Sequence, residues 1–188
     1  GAGSAARVAA SRLGGAGASV AVGSATAIRP DAAAVAQDDV WLRDLAGGST
    51  TLVSAADGSA TARTGGGSPS VDQYGRRIAF AAAGPQILVR APGNVTTVAS
   101  RTTAGTLIDG IAPSLSATGT SVAFLTRAEP YNAPGVFTLQ VVVRHLTASP
   151  TRIASAPAGS ATPGNADSGP PPTSAQAPPR ASGYRATR

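Results

Sequence analysis

The chain has 188 residues, enough for one domain with a real core and too few for two large ones. Its +6 net charge comes from arginines scattered singly, with only Arg76 and Arg77 adjacent and no lysine, so the concentrated basic face of a nucleic-acid binder is missing. The lack of cysteine removes disulfides, thiolate metal sites and cysteine nucleophiles, and no apolar run reaches the ~18 residues of a membrane helix.

Three related copies succeed one another. The first holds GASVAV at 17–22 and VWLRDLAGGSTTLVS at 40–54, both β-branched and bounded by glycine turns, as strands require. Between them lies an Ala-rich insertion, 25–38. A helix over 32–37 competes there, because Asp31 offers a cap and alanine favours helix, but from Val40 onward alignment with the other copies overrides propensity. The adjacent Asp38 and Asp39 precede a strand, where carboxylates satisfy turn amides. Spacing for a calcium loop is absent.

After the flexible Gly65-Gly66-Gly67, which lacks the lysine of a phosphate loop, the second copy predicts four strands at 68–72, 76–82, 86–91 and 95–100. Turns fall at 72–75, 83–85 and 92–94. The third copy repeats this from 112 to 155. SPSVDQYGRRIAF at 68–80 returns as APSLSATGTSVAF at 112–124, with Pro, Ser, Gly, Ala and Phe displaced by 44 positions. The bulky residues of Ile78-Ala79-Phe80 and Val122-Ala123-Phe124 point to one face and the alanines to the other, so both faces can be buried between stacked sheets. The fold class is therefore all-β, a partial, about three-bladed β-propeller of antiparallel four-stranded sheets. Copies run over about 11–54, 68–100 and 112–155, and only the last two show a clear first strand. From 156 to 188 bulky apolar residues almost vanish and Pro, Ala, Ser and Gly dominate, which predicts a disordered tail or linker.

The strings SPSVDQYGRRIAFAA and APSLSATGTSVAFLT resemble the "P-x-hydrophobic-S-x-x-G-x-x-hydrophobic-A-F" core of TolB-like β-propeller repeats. DDVWLRDLAGGSTTLVSAADGSA resembles the next segment of such a repeat. The resemblance spans about 11–155 and implies the propeller of bacterial envelope proteins, or of domains that precede some serine peptidases, with a secreted, periplasmic or cell-envelope location. The chain departs from that pattern where the acid before the turn glycine is replaced, in Asp72-Gln73-Tyr74-Gly75 and in Ser116-Ala117-Thr118-Gly119, and where His145 stands in place of Asp44.

No catalytic set is expected. The single histidine, His145, sits at a strand end without a nucleophile elbow, and neither cofactor nor metal is implied. In an up-and-down sheet the loop between the second and third strands and the connector to the next sheet emerge on the same side, and loops held by a rigid scaffold carry function. That side holds Asp38, Asp57, Asp109, Arg127, Glu129, Tyr131 and Asn132, the expected ligand-binding residues. The expected function is a non-catalytic interaction module binding protein or glycan, and the alternative is an accessory propeller of a hydrolase whose catalytic domain lies outside this chain. Three sheets do not close a ring, so further blades or another copy are expected to cover the open sheet faces.

Overall fold

A computed structural model of the chain describes residues 19–24, 38–132, 134–148, 150–158, 160, 162–164 and 166–171. They form three antiparallel sheets. The first is a meander of β1 (Ser19–Ser24), β2 (Asp39–Asp44) and β3 (Thr50–Leu52). The second contains β4 (Gly66–Val71), β5 (Ile78–Ala82), β6 (Ile87–Ala91) and β7 (Val95–Val98). The third contains β8 (Ile111–Leu115), β9 (Ser121–Thr126), β10 (Gln140–His145) and β11 (Thr151–Ile153). Within each sheet the strands pair in chain order. The four strands expected for the second copy are all present, and the chain beyond Val40 is strand rather than helix. The helix weighed for 32–37 lies outside the described residues.

The sheets stack face to face, β4 beside β1 and β2, and β8 beside β4 and β5. Ile78 and Phe80 point towards the first sheet and bury with Val40, Val53 and Val71. Ala79, one residue between them, points the other way into the layer shared with the third sheet, beside Ile87, Val122, Phe124 and Val142. The same parity governs the third sheet: Phe124 faces inward, and Ala123 faces outward with Leu125, Val141 and Val143. Small residues alternate with large ones in the second and third sheets, where both faces are buried.

The first strands carry a second register of the repeat. Ser68 and Ala112, 44 residues apart, both adopt a φ of 51° immediately before a proline, and the β4–β5 and β8–β9 ladders shift register there. A bulge of this kind bends its strand and re-aims the side chains after it. Past the bulge the Ser70 hydroxyl accepts a hydrogen bond from the Leu115 amide at 2.9 Å, joining the first strands of neighbouring sheets. The next turns also interlock, since Arg77 donates to the Gly119 carbonyl at 2.8 Å. Gly119 has a φ of +69°, and a Cβ there would stand 2.9 Å from an Asp72 carboxylate oxygen, so both backbone and space call for glycine.

One serine closes each sheet. Ser54, Ser100 and Ser155 accept hydrogen bonds from the amides of Val40, Ile87 and Val141 at 3.0, 3.0 and 3.1 Å. All three serines are buried, where the last strand of each sheet passes the start of the strand before it. Replacing Ser100 by alanine leaves the Ile87 amide without this partner, so we expect a loss of about 1–3 kcal/mol in chemical denaturation, against less than about 0.5 kcal/mol for an exposed loop change such as Thr61→Ser.

A candidate binding cleft beside the third sheet

The loop from β9 to β10 is tied down from several sides. At its start the Asp109 carboxylate accepts hydrogen bonds from the Thr126 hydroxyl at 2.8 Å and the Arg127 amide at 3.4 Å. The Thr126 hydroxyl in turn accepts from the Ala128 amide at 3.0 Å. Arg127 Nε donates across the loop to the Phe137 carbonyl at 3.0 Å. Near its end the Asn132 side chain donates to the Thr138 carbonyl and accepts from the Thr138 hydroxyl, at 3.0 and 2.8 Å. Arg127 and Glu129 stay exposed, and Phe137 stands out from the same loop with 75 % of its surface in solvent.

The connector from β7 to β8 runs beside this loop. Its Thr103 hydroxyl donates to the Thr151 carbonyl and accepts from the Thr151 amide, both at 3.1 Å. The Thr151 hydroxyl donates to the Arg101 carbonyl at 2.6 Å. Between connector and loop opens a cleft of about 570 Å³, lined by Thr102, Thr103, Ala104, Thr106, Glu129, Pro130, Tyr131 and Thr151. Connector and loop thus meet on one side, as strand reversal requires.

Electrostatics in the cleft are simple. Burial pushes the Tyr131 phenol up, with a hydrogen bond to Thr151 and the nearby Arg144 charge pulling the other way, so the phenol stays neutral. Arg144 is lowered by burial and by the like charge of Arg101, and it donates to the Thr102 carbonyl and the Thr151 hydroxyl, both at 3.0 Å. Among the described residues, Glu129 is the only carboxylate in the lining. Hydroxyls, one exposed anion and the apolar Pro130 and Ala104 suit recognition by hydrogen bonds and packing. The one histidine is elsewhere: His145 Nδ1 lies 2.9 Å from the Ser121 hydroxyl across the β9–β10 ladder. Among the described residues, no group of three His, Cys, Asp or Glu side chains is placed to hold a metal.

Of the seven residues expected on the binding side, Glu129 and Tyr131 line this cleft. Asp109 and Arg127 meet at the loop's root. Tyr131 and Asn132 are only 7 % and 5 % exposed, so the first presents one edge and the second holds the loop in shape. Asp57 is elsewhere, accepting the Thr96 amide at 2.8 Å at the junction of the first two sheets. Asp38 is exposed beside β2, its carbonyl accepting from Gly66 at 2.7 Å. Its neighbour Asp39 is buried and structural, paired with Arg63 at 3.1 Å and with the Ser54 hydroxyl at 3.0 Å. Sequence reasoning misses the lining threonines, because a threonine-rich connector carries no charge or motif to mark it.

Three stacked antiparallel meanders, each turned by the same serine closure and the same first-strand bulge where that strand is present, decide the architecture. The fold is a β-propeller, similar to that of TolB. TolB from Acinetobacter baumannii superposes on this propeller with a TM-score of 0.52 at 16 % identity, over 79 % of this chain and 32 % of that one. The tricorn protease superposes with a TM-score of 0.50 at 15 % identity, over 79 % of this chain and 13 % of that one. The propeller thus spans about a third of the first protein's length and about an eighth of the second's. No protein-family model matches the chain, and no curated protein matches it. No helix among the described residues is long and apolar enough to cross a membrane.

Proposed function

We propose that this chain is a non-catalytic interaction module that binds a protein or glycan partner through the cleft beside the third blade. The supporting observation is the convergence of the 102–106 connector and the 129–131 loop on one open, hydroxyl-rich cleft, with a rigid sheet beneath and Glu129 exposed in its wall. Rigid support lowers the entropy cost of binding, and Phe137, exposed on the same loop, offers an apolar contact of the kind that dominates interfaces. The reading takes its location, secreted or in the periplasm at the cell envelope, from the resemblance to TolB-like propellers. The second reading, an accessory propeller of a hydrolase, draws on the likeness to a propeller-bearing protease; a nucleophile elbow encoded downstream in the same reading frame would decide for it.

The test uses a panel of immobilised oligosaccharides and extended peptides. We expect the chain to retain at least one of them, and Glu129→Arg combined with Phe137→Ser to weaken that binding by about tenfold or more, some 1.4 kcal/mol. Both side chains are exposed, so the fold is expected to survive, which circular dichroism checks. Equal retention of the variant, or no retention of any probe, would discard the cleft.

A further inference from the structure

Among the described residues, the third blade has an outward face with no sheet against it. Its neighbouring strands lie on the other side, where β8 packs against β4 and β5. An uncovered face should be wet, yet Ala123, Leu125, Val141 and Val143 are 3 %, 4 %, 1 % and 8 % exposed. Something of this chain keeps water from them.

We infer that the Pro- and Gly-rich residues 162–164 and 166–171 close this face, standing where the next blade of a ring would stack. After β11 the chain turns back to the start of β10. Leu139 is held from both sides: its amide donates to the Asp167 carboxylate at 2.6 Å, and its carbonyl accepts from the Ser168 amide at 2.8 Å. One position on, the buried Gln140 side chain donates to the Gly164 carbonyl at 2.9 Å. Leu139 packs against the same outward cluster that needs cover, and Gly164 and Ser168 are themselves buried. The Gln140 side chain also accepts from Ser155, the closing serine of this blade, at 2.6 Å. The segment is therefore fastened to the blade's own closure and is more than a chain end passing by.

The composition fits the task. A strap laid over a sheet face forms no ladder of its own, so proline costs it no hydrogen bonds, and small residues let its backbone lie close. The consequence concerns partners. A blade face closed by its own chain offers no purchase there to a further blade or to a second copy.

Four proteins test this: the full chain, a chain ending at Ala158, a chain ending at Pro171, and the full chain carrying Ser168→Pro, which removes the amide donated to Leu139. The readouts are amide hydrogen exchange at Val141 and Val143, binding of an apolar fluorescent dye, and sedimentation against concentration. We expect the chain ending at Ala158 to exchange about tenfold faster or more at both amides, to bind dye and to self-associate, and the chain ending at Pro171 to behave as the full chain. Ser168→Pro should move in the same direction as the shorter truncation, and it decides the matter if that truncation fails to fold. Unchanged exchange and dye binding in Ser168→Pro, or full exposure of the face in the chain ending at Pro171, would overturn the inference.

Discussion

Replacing Phe124 by alanine is expected to lower stability by about 3–5 kcal/mol, a large share of what a domain of this size holds in reserve. The ring is fully buried in the layer between the second and third sheets, among Ile87, Val89, Leu115, Val122, Tyr131 and Val142. The neighbours have little freedom to refill the space. The backbone of Gly110 passes so close that a Cβ there would lie 3.0 Å from the Phe124 ring and 2.7 Å from Ile87, and Gly110 is fixed by the hydrogen bond its amide donates to the Pro85 carbonyl at 2.9 Å. A cavity that cannot collapse costs the lost transfer energy and the lost contacts together. Because Tyr131 belongs to the same layer, the loop that walls the cleft should loosen as well, seen as faster amide exchange over 129–131. Phe137→Ala serves as the control: that ring is mostly in water, so its loss should change stability by less than about 0.5 kcal/mol. Urea denaturation of both variants measures the contrast, and a loss below about 1 kcal/mol for Phe124→Ala would mean that the two sheets do not share this layer.

The part of the fold that repeats is the part legible in the sequence. A 44-residue displacement preserving Pro, Gly and Ala-Phe marks the sheets, and the parity of Ile78-Ala79-Phe80 marks the two buried faces, since period-2 burial leaves its trace in the chain itself. The bulge is not legible, because Ser68 and Ala112 are not residues that announce a positive φ. Nor is the strap: its bonds come mainly from backbone groups of Gly164, Leu139 and Ser168, and backbone hydrogen bonds leave no residue signature. The candidate site is half legible. Strand direction places connector and loop on one side, but it does not tell that Tyr131 and Asn132 turn inward to hold the loop, or that Asp57 serves the junction between the first two sheets. Charge marks the residues expected from sequence, whereas the cleft is built largely of threonine hydroxyls.

A recurring arginine, visible in VWLR, ILVR and VVVR, has the clearest energetic role. Arg90 reaches out of β6 and donates to the carbonyls of Ser59, Asn94 and Ala56 at 2.5, 2.8 and 3.3 Å, to the Thr96 hydroxyl at 2.7 Å and to the Asn94 side chain at 2.8 Å. It thereby staples the connector leaving the first sheet to the outer hairpin of the second. Burial lowers its pKa and the neighbouring Asp57 charge raises it again, while a guanidinium remains protonated throughout the ordinary pH range. Arg144 repeats the arrangement one sheet on, bonding the Thr102 carbonyl and the Thr151 hydroxyl. Arg43 in the first sheet bonds within its own hairpin, to the Gly48 carbonyl and the Thr50 hydroxyl, and stays exposed. We therefore expect Arg90→Leu to cost about 3 kcal/mol and Arg43→Leu less than about 1 kcal/mol, because the loss of Arg90 removes the donor of the Ser59 carbonyl, the Asn94 side chain and the Thr96 hydroxyl at once, while the Asn94 and Ala56 carbonyls keep backbone donors. Arg90→Lys should recover little of the loss, since one ammonium on a flexible stem cannot serve acceptors spread over the planar fork. Thermal and urea denaturation of the three variants give the comparison. Equal losses for Arg90→Leu and Arg43→Leu would show that the arginine acts within its own hairpin, and that the connector is held to the next blade by packing alone.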